Sequence, residues 1–115
     1  VTLGKNVVGI SSSAFYECKK LQEINLSDCL LSIGSQAFYR TAELKNIHLP
    51  EGLSVIGSKA FEESGLEEIN IPGTVSELFA GTFSYCSSLK KITFNEGLEK
   101  LGSSSRITIF IFTSF

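Results

Sequence analysis

The side chains of this 115-residue chain best suited to nucleophilic or metal chemistry are three cysteines and one histidine. Cys18 and Cys86 hold equivalent places in a repeating pattern, three repeats apart. If each repeat adds one parallel strand at about 4.8 Å, the two sulfurs lie on the order of 14 Å apart. Disulfide reach ends near 7 Å between Cα atoms, so no bridge forms. Cys29 follows a strand and sits at another corner of its repeat. Three free thiols are therefore expected, with Cys18 and Cys86 as small core fillers in a column completed by Thr41 and Ser64. His48 lies between Ile47 and Leu49 and points outward from its strand. Its column reads Thr2, Asn25, His48, Asn70, Thr93. Asparagines are neither nucleophiles nor acids, Asp28 lies beyond the strand end, and one histidine cannot hold a metal. The chemistry available is recognition: no catalytic residue, cofactor or metal is expected.

Two further columns run beside this stripe, Gln22, Lys45, Glu67, Lys90 and Glu23, Asn46, Glu68, Lys91. Lys45–Glu67–Lys90 and Glu68–Lys91 set opposite charges on adjacent strands, which favours the register by roughly 0.2–1 kcal/mol per pair. The candidate binding set is Asn25, Lys45, His48, Glu67, Asn70, Lys90 and Thr93. It reads either as a ligand-facing stripe or as a side-chain ladder that merely solvates the sheet.

What positions these columns is an internal period. Phe15, Phe38, Phe61 and Phe83 follow one another at steps of 23, 23 and 22. In register with them run Leu-x-x-Ile-x-Leu units at Leu21, Leu44, Leu66 and Leu89, and Val/Leu-x-x-Ile/Leu units at Val7, Leu30, Leu53, Val75 and Leu98. The one skipped residue lies between Phe61 and Leu66. Ile24 and Leu26 are two apart and face one side of a strand. Pro50 and Pro72 end that strand and turn the chain. A second short extended piece follows, with Gly34, Gly57 and Gly102 at a corner. Ala-Phe-x-x-Cys then suits one helical or 3-10 turn that drops the phenylalanine inward. No coil buries its apolar face alone, so the coils must stack into a solenoid.

The run at 44–61, "LKNIHLPEGLSVIGSKAF", resembles the BspA-like, or Treponema-type, leucine-rich repeat, and the likeness covers roughly residues 1–102. Ser11 and Phe79 replace the corner glycine, Thr41 and Ser64 the cysteine, and Arg106 stands where a fifth phenylalanine belongs. The resemblance implies a leucine-rich-repeat solenoid, mostly β, of right-handed stacked coils. It has a parallel sheet on the concave face, short second strands and single helical or 3-10 turns. It also implies a non-enzymatic protein-binding or adhesion module of a cell-surface or secreted protein, with a host extracellular-matrix or cell-surface protein as partner. A structural spacer or self-associating array displaying another domain is the alternative.

Composition narrows the partners. The net charge is −2 and no basic run exists, which argues against nucleic acid. The longest apolar-rich stretch, Ile107 to Phe112, is too short to insert in a membrane. The chain begins at Val1 and contains no methionine, as expected of a processed or excised piece. Residues 1–102 are assigned to the solenoid, about 4.5 coils. Residues 103–115 form an irregular segment, read as a cap, a remnant of truncation, or a contact through which chains self-associate.

Overall fold

The computed structural model describes residues 1–79, 81–94, 100–101 and 111–113. Every assigned element is a strand, and all pairings are parallel. Three short strands, β1 (Gly9–Ile10), β2 (Ser32–Ile33) and β3 (Val55–Ile56), pair at the 23-residue step: Ile10 lies beside Ile33, and Ile33 beside Ile56. β4 (Glu68–Ile71) belongs to the main sheet, and β5 (Glu77–Leu78) continues the run of second strands. β6 (Lys91–Phe94) pairs with β4, and β7 (Lys100–Leu101) with β5. β8 (Ile111–Thr113) adds to the main sheet on β6, with Ile111 beside Ile92. The Ile107–Phe110 part of the expected tail strand, Gly102 and Arg106 lie outside the described residues.

The core is built one layer per coil. Leu30, Ile33, Phe38 and Leu44, then Leu53, Ile56, Phe61 and Leu66, are wholly buried. Phe15, Phe38, Phe61 and Phe83 form a continuous stack with centroid spacings of 5.3, 5.3 and 5.8 Å and interplanar angles of 9° or less. Leu49, Ile71 and Phe94 are buried as a second column, whereas Leu26 and Phe15 are only partly buried. Phe15 has no described arch on its outer side, and Leu26 is flanked there only by the half-unit at 1–3, whose Thr2 pairs with Asn25.

The segments carrying the phenylalanines depart from the expected single helical or 3-10 turn. Each is a run of overlapping i→i+3 turns bracketed by left-handed residues. Ser13, Gln36, Lys59 and Gly81 open it, and Glu17, Arg40, Glu63 and Tyr85 close it, all with φ between 55° and 70°. Such a backbone cannot propagate as a helix. Its amides alternate instead. Ala14, Tyr16 and Cys18 donate within the turn, while Ser13, Phe15 and Glu17 donate to the carbonyls of Ser35, Ala37 and Tyr39 on the next coil. The second coil repeats this, from Gln36, Phe38 and Arg40 to Ser58, Ala60 and Glu62. The arch is thus a hydrogen-bonded ladder in its own right, which offsets the cost of its left-handed residues, about 1–2 kcal/mol each.

Two other expectations change. Gly34 and Gly57 are required by crowding: a Cβ at either would lie 2.4 Å from a backbone nitrogen, that of Ser12 or of Ser35. Gly65 is the counterpart where the period loses one residue, since its Cβ would lie 2.0 Å from the Ala42 carbonyl oxygen. The sulfur column divides as well. Cys86 is buried and donates to the Phe61 carbonyl at 3.0 Å, with Ser64 Oγ at 3.4 Å. Cys18 is exposed instead of filling the core, because it lies on the uncovered side of the first coil; Cys29 is also exposed. All three thiols are free.

Candidate functional site

The main-sheet face takes its side chains from the alternation of the strands. In β4, Glu68 and Asn70 are exposed while Ile69 and Ile71 are buried. β6 repeats this with Lys91 outward, Thr93 half-buried, and Ile92 and Phe94 inward. The parallel register sets Glu68 beside Lys91 and Asn70 beside Thr93. On the preceding coil, Asn46 and His48 are exposed on either side of buried Ile47.

These residues enclose a shallow cleft of about 240 Å³, lined by Asn46, His48, Glu68, Asn70, Lys91 and Thr93 and floored by Ile47 and Ile69. The cleft lies where the main sheet is interrupted. Residues 45–49 form no strand, and the coil-to-coil backbone bonds near them lie at the strand entrance, from Glu67 N–H to Lys45 C=O (2.9 Å) and from Lys90 N–H to Glu67 C=O (2.8 Å).

Of the seven candidate residues, His48, Asn70 and Thr93 meet in the cleft. Asn25 does not: it donates from Nδ2 to Thr2 Oγ1 at 3.2 Å, near the first coil. Lys45, Glu67 and Lys90 stand one residue ahead of the alternating segment and line no part of the cleft. Asn46, Glu68 and Lys91 take their places. The alternation itself points to them, since each lies two residues before the His48–Asn70–Thr93 column and shares its side of the strand. Glu68 and Lys91 do set opposite charges on adjacent strands in register, but among the described residues neither that pair nor Lys45–Glu67–Lys90 closes to ion-pair contact. Glu68 and Lys91 flank the cleft with opposite charges and no described partner.

Charges on the arch behave otherwise. Arg40 donates from Nε to Glu63 at 2.8 Å and reaches Glu17 at 3.8 Å, which joins three successive coils. Its guanidinium stands 5.3 Å from the centroid of the Tyr39 ring, and Tyr39 packs on Tyr16 at 4.8 Å. The hydrogen bond from Arg40, and then that from Tyr39, hold the Glu63 carboxyl below its ordinary range. The bond to Glu63 pushes the Tyr39 hydroxyl upward, with burial adding to it. Burial likewise raises the Cys86 thiol. Among the described residues no group of three or more His, Cys, Asp or Glu side chains could hold a metal ion. No helix among them is long and apolar enough to cross a membrane.

The sequence profile of the BspA type leucine rich repeat region matches residues 8–111, in six copies. Among solved structures, the chain superposes on a leucine-rich repeat protein of T. pallidum with a TM-score of 0.73 at 25% identity, over 89% of this chain and 68% of that one. A leucine-rich repeat protein from Bacteroides ovatus gives 0.70 at 27% identity, over 90% of this chain and 37% of the other. The pneumococcal vaccine antigen PcpA gives 0.78 at 23% identity, over 99% of this chain and 30% of that one, a likeness of fold. No curated protein matches the chain.

Proposed function

Because the chain belongs to the BspA-type leucine-rich repeat family, we propose that it is a non-enzymatic protein-binding module of a cell-surface or secreted protein. Its main-sheet face carries the contact, and adhesion to a host extracellular-matrix or cell-surface protein is the role. One observation carries this reading: the polar groups around the cleft are unspent. His48, Glu68, Asn70 and Lys91 have no described side-chain partner, while Glu17, Arg40 and Glu63 on the arch are joined to one another. Free donors and acceptors of both signs over an apolar floor suit the mixed surface of a protein ligand. The surface location and the adhesive role rest on the family resemblance.

The test is binding of the chain to a panel of extracellular-matrix proteins by surface plasmon resonance, beside a variant with His48, Glu68 and Lys91 all replaced by alanine. Saturable binding that weakens at least about tenfold in the folded triple variant is the expected result. Equal binding by both proteins moves the site off this face. No binding to any member of the panel favours a structural spacer.

A further inference from the structure

The six polar side chains of the main-sheet cleft stand in two columns. Asn46, Glu68 and Lys91 form the first, one from each of three successive coils. His48, Asn70 and Thr93 form the second, two residues further along each strand. The formal charge lies wholly in the first column, and its two members have opposite sign. Glu68 and Lys91 are register partners on paired strands, about 4.8 Å apart along the stack, yet they do not close on one another. The backbone beneath is unspent as well. Among the described residues, no backbone hydrogen bond involves Asn46, Ile47, His48 or Leu49, although the same coils are bonded to their neighbours along the arch and through β1, β2 and β3. Ile47 and Leu49 are buried, and buried peptide groups ordinarily have a partner.

Size and chemistry together narrow the ligand. At about 240 Å³ the cleft falls below the roughly 300 Å³ at which pockets enclose a small molecule, and it is shallow, so it suits one stretch of a longer chain. None of its lining residues is Phe, Tyr or Trp, which leaves a nucleobase no ring to stack on. One positive and one negative group cancel, so no net field draws a polyanion. Asparagine carries both a donor and an acceptor, the complement of a peptide unit, and the unbonded backbone at 46–49 offers the same pair. An extended polypeptide answers all of these. Its alternate side chains lie on one face about 6.6 Å apart, a span that flexible charged side chains match to one coil step.

Resting on the reading of this face as the protein-binding side, we propose that the cleft selects an extended peptide segment with a basic and an acidic residue two positions apart. The segment lies across the coils, its basic side chain against Glu68 and its acidic side chain against Lys91. Asn46 and Asn70 hydrogen-bond its backbone. Selectivity follows from the adjacency of the two charges: a segment with two like charges meets one attraction and one repulsion, and a mixed segment meets two attractions. Each contact is solvent-exposed, so a single short segment binds weakly and its preference is modest.

The test is an NMR titration of the full chain with three pentapeptides blocked at both ends: Gly-Lys-Thr-Glu-Gly, Gly-Lys-Thr-Lys-Gly and Gly-Glu-Thr-Glu-Gly. The mixed peptide should move the side-chain amide signals of Asn46 and Asn70 and bind about threefold or more tighter than either like-charged one. Reversing one charge should switch the preference. Glu68→Lys makes the cleft doubly positive and should favour the Glu-Thr-Glu peptide, and Lys91→Glu should favour the Lys-Thr-Lys peptide, with circular dichroism confirming that both variants fold. Asn46 and Asn70 signals that move equally with all three peptides, or a preference that neither reversal alters, overturn the charge selection. Signals that stay still with every peptide up to about 10 mM overturn the peptide site itself. The broader reading of the face is judged separately, by whether matrix proteins lose binding to the variant lacking His48, Glu68 and Lys91.

Discussion

The arch and the main-sheet face are made by the same period from the same coils, yet they treat polar groups in opposite ways. On the arch, alternate amides reach the next coil, rings stack at 5.3–5.8 Å, and Arg40 ties Glu17 to Glu63. On the main-sheet face at the cleft, charged neighbours stand unjoined and residues 45–49 form no strand. On the proposed reading, stability and recognition fall to different sides of one solenoid. Side chains that hold coils together cannot be exchanged freely, whereas those around the cleft can vary without disturbing the stack.

Substitution should break the two sides unequally. Phe38→Ala removes a ring stacked on both faces and should cost roughly 3–5 kcal/mol in urea unfolding. With neighbour-coupled coils, that loss is enough to unfold a large part of the array. A Phe38→Ala protein as stable as its parent would remove the arch from its assigned role. Gly34→Ala should cost less, about 1–3 kcal/mol, because Ser12 must be displaced by an atom that has no room. His48→Ala, on the opposite face, should change stability by less than about 0.5 kcal/mol. A larger loss would make the cleft a structural element.

The thiols sharpen the contrast chemically. Cys18 and Cys29 should react with iodoacetamide in the native protein, and Cys86 only after denaturation. Since burial raises the folded-state pKa of Cys86, its contribution is fully present at neutral pH. It is lost as pH climbs beyond the unfolded thiol value near 8.5, where the unfolded chain releases the proton first. Urea midpoints from pH 7 to 10 should therefore fall more steeply in the parent than in Cys86→Ala. The smallest effect belongs to Arg40→Ala. It should lower the thermal midpoint slightly in dilute buffer and hardly at all in 1 M salt, because its ion pairs are solvent-exposed.

The solenoid was legible because burial imposes a period, and the period survives in the spacing of Phe38, Phe61, Leu44 and Leu66. The form of the arch was not. Left-handed residues are usually announced by glycine, and here Ser13, Gln36, Lys59, Glu17, Arg40 and Glu63 take that conformation. Context supplied by the neighbouring coil holds them there, and local propensity carries no trace of it. The cleft was half legible. His48, Asn70 and Thr93 follow from strand alternation, but Lys45 and Glu67 were included because their charges alternate from coil to coil. Charge order says nothing about which way a side chain points. Strand alternation does, and it selects Asn46 and Glu68.

The alternating amides of the arch also give the stack a direction. Each coil hands its hydrogens onward, from Phe15 to Ala37 and from Phe38 to Ala60, and none is returned at those positions. On the outer side of the first coil, the carbonyls of Ser12, Ala14 and Tyr16 accept no hydrogen bond from any described residue. Two such surfaces brought face to face would oppose oxygen to oxygen. Like the pole of a magnet, that side of the coil is matched by the donor face of an arch stacked in the same sense, one with hydrogens to give.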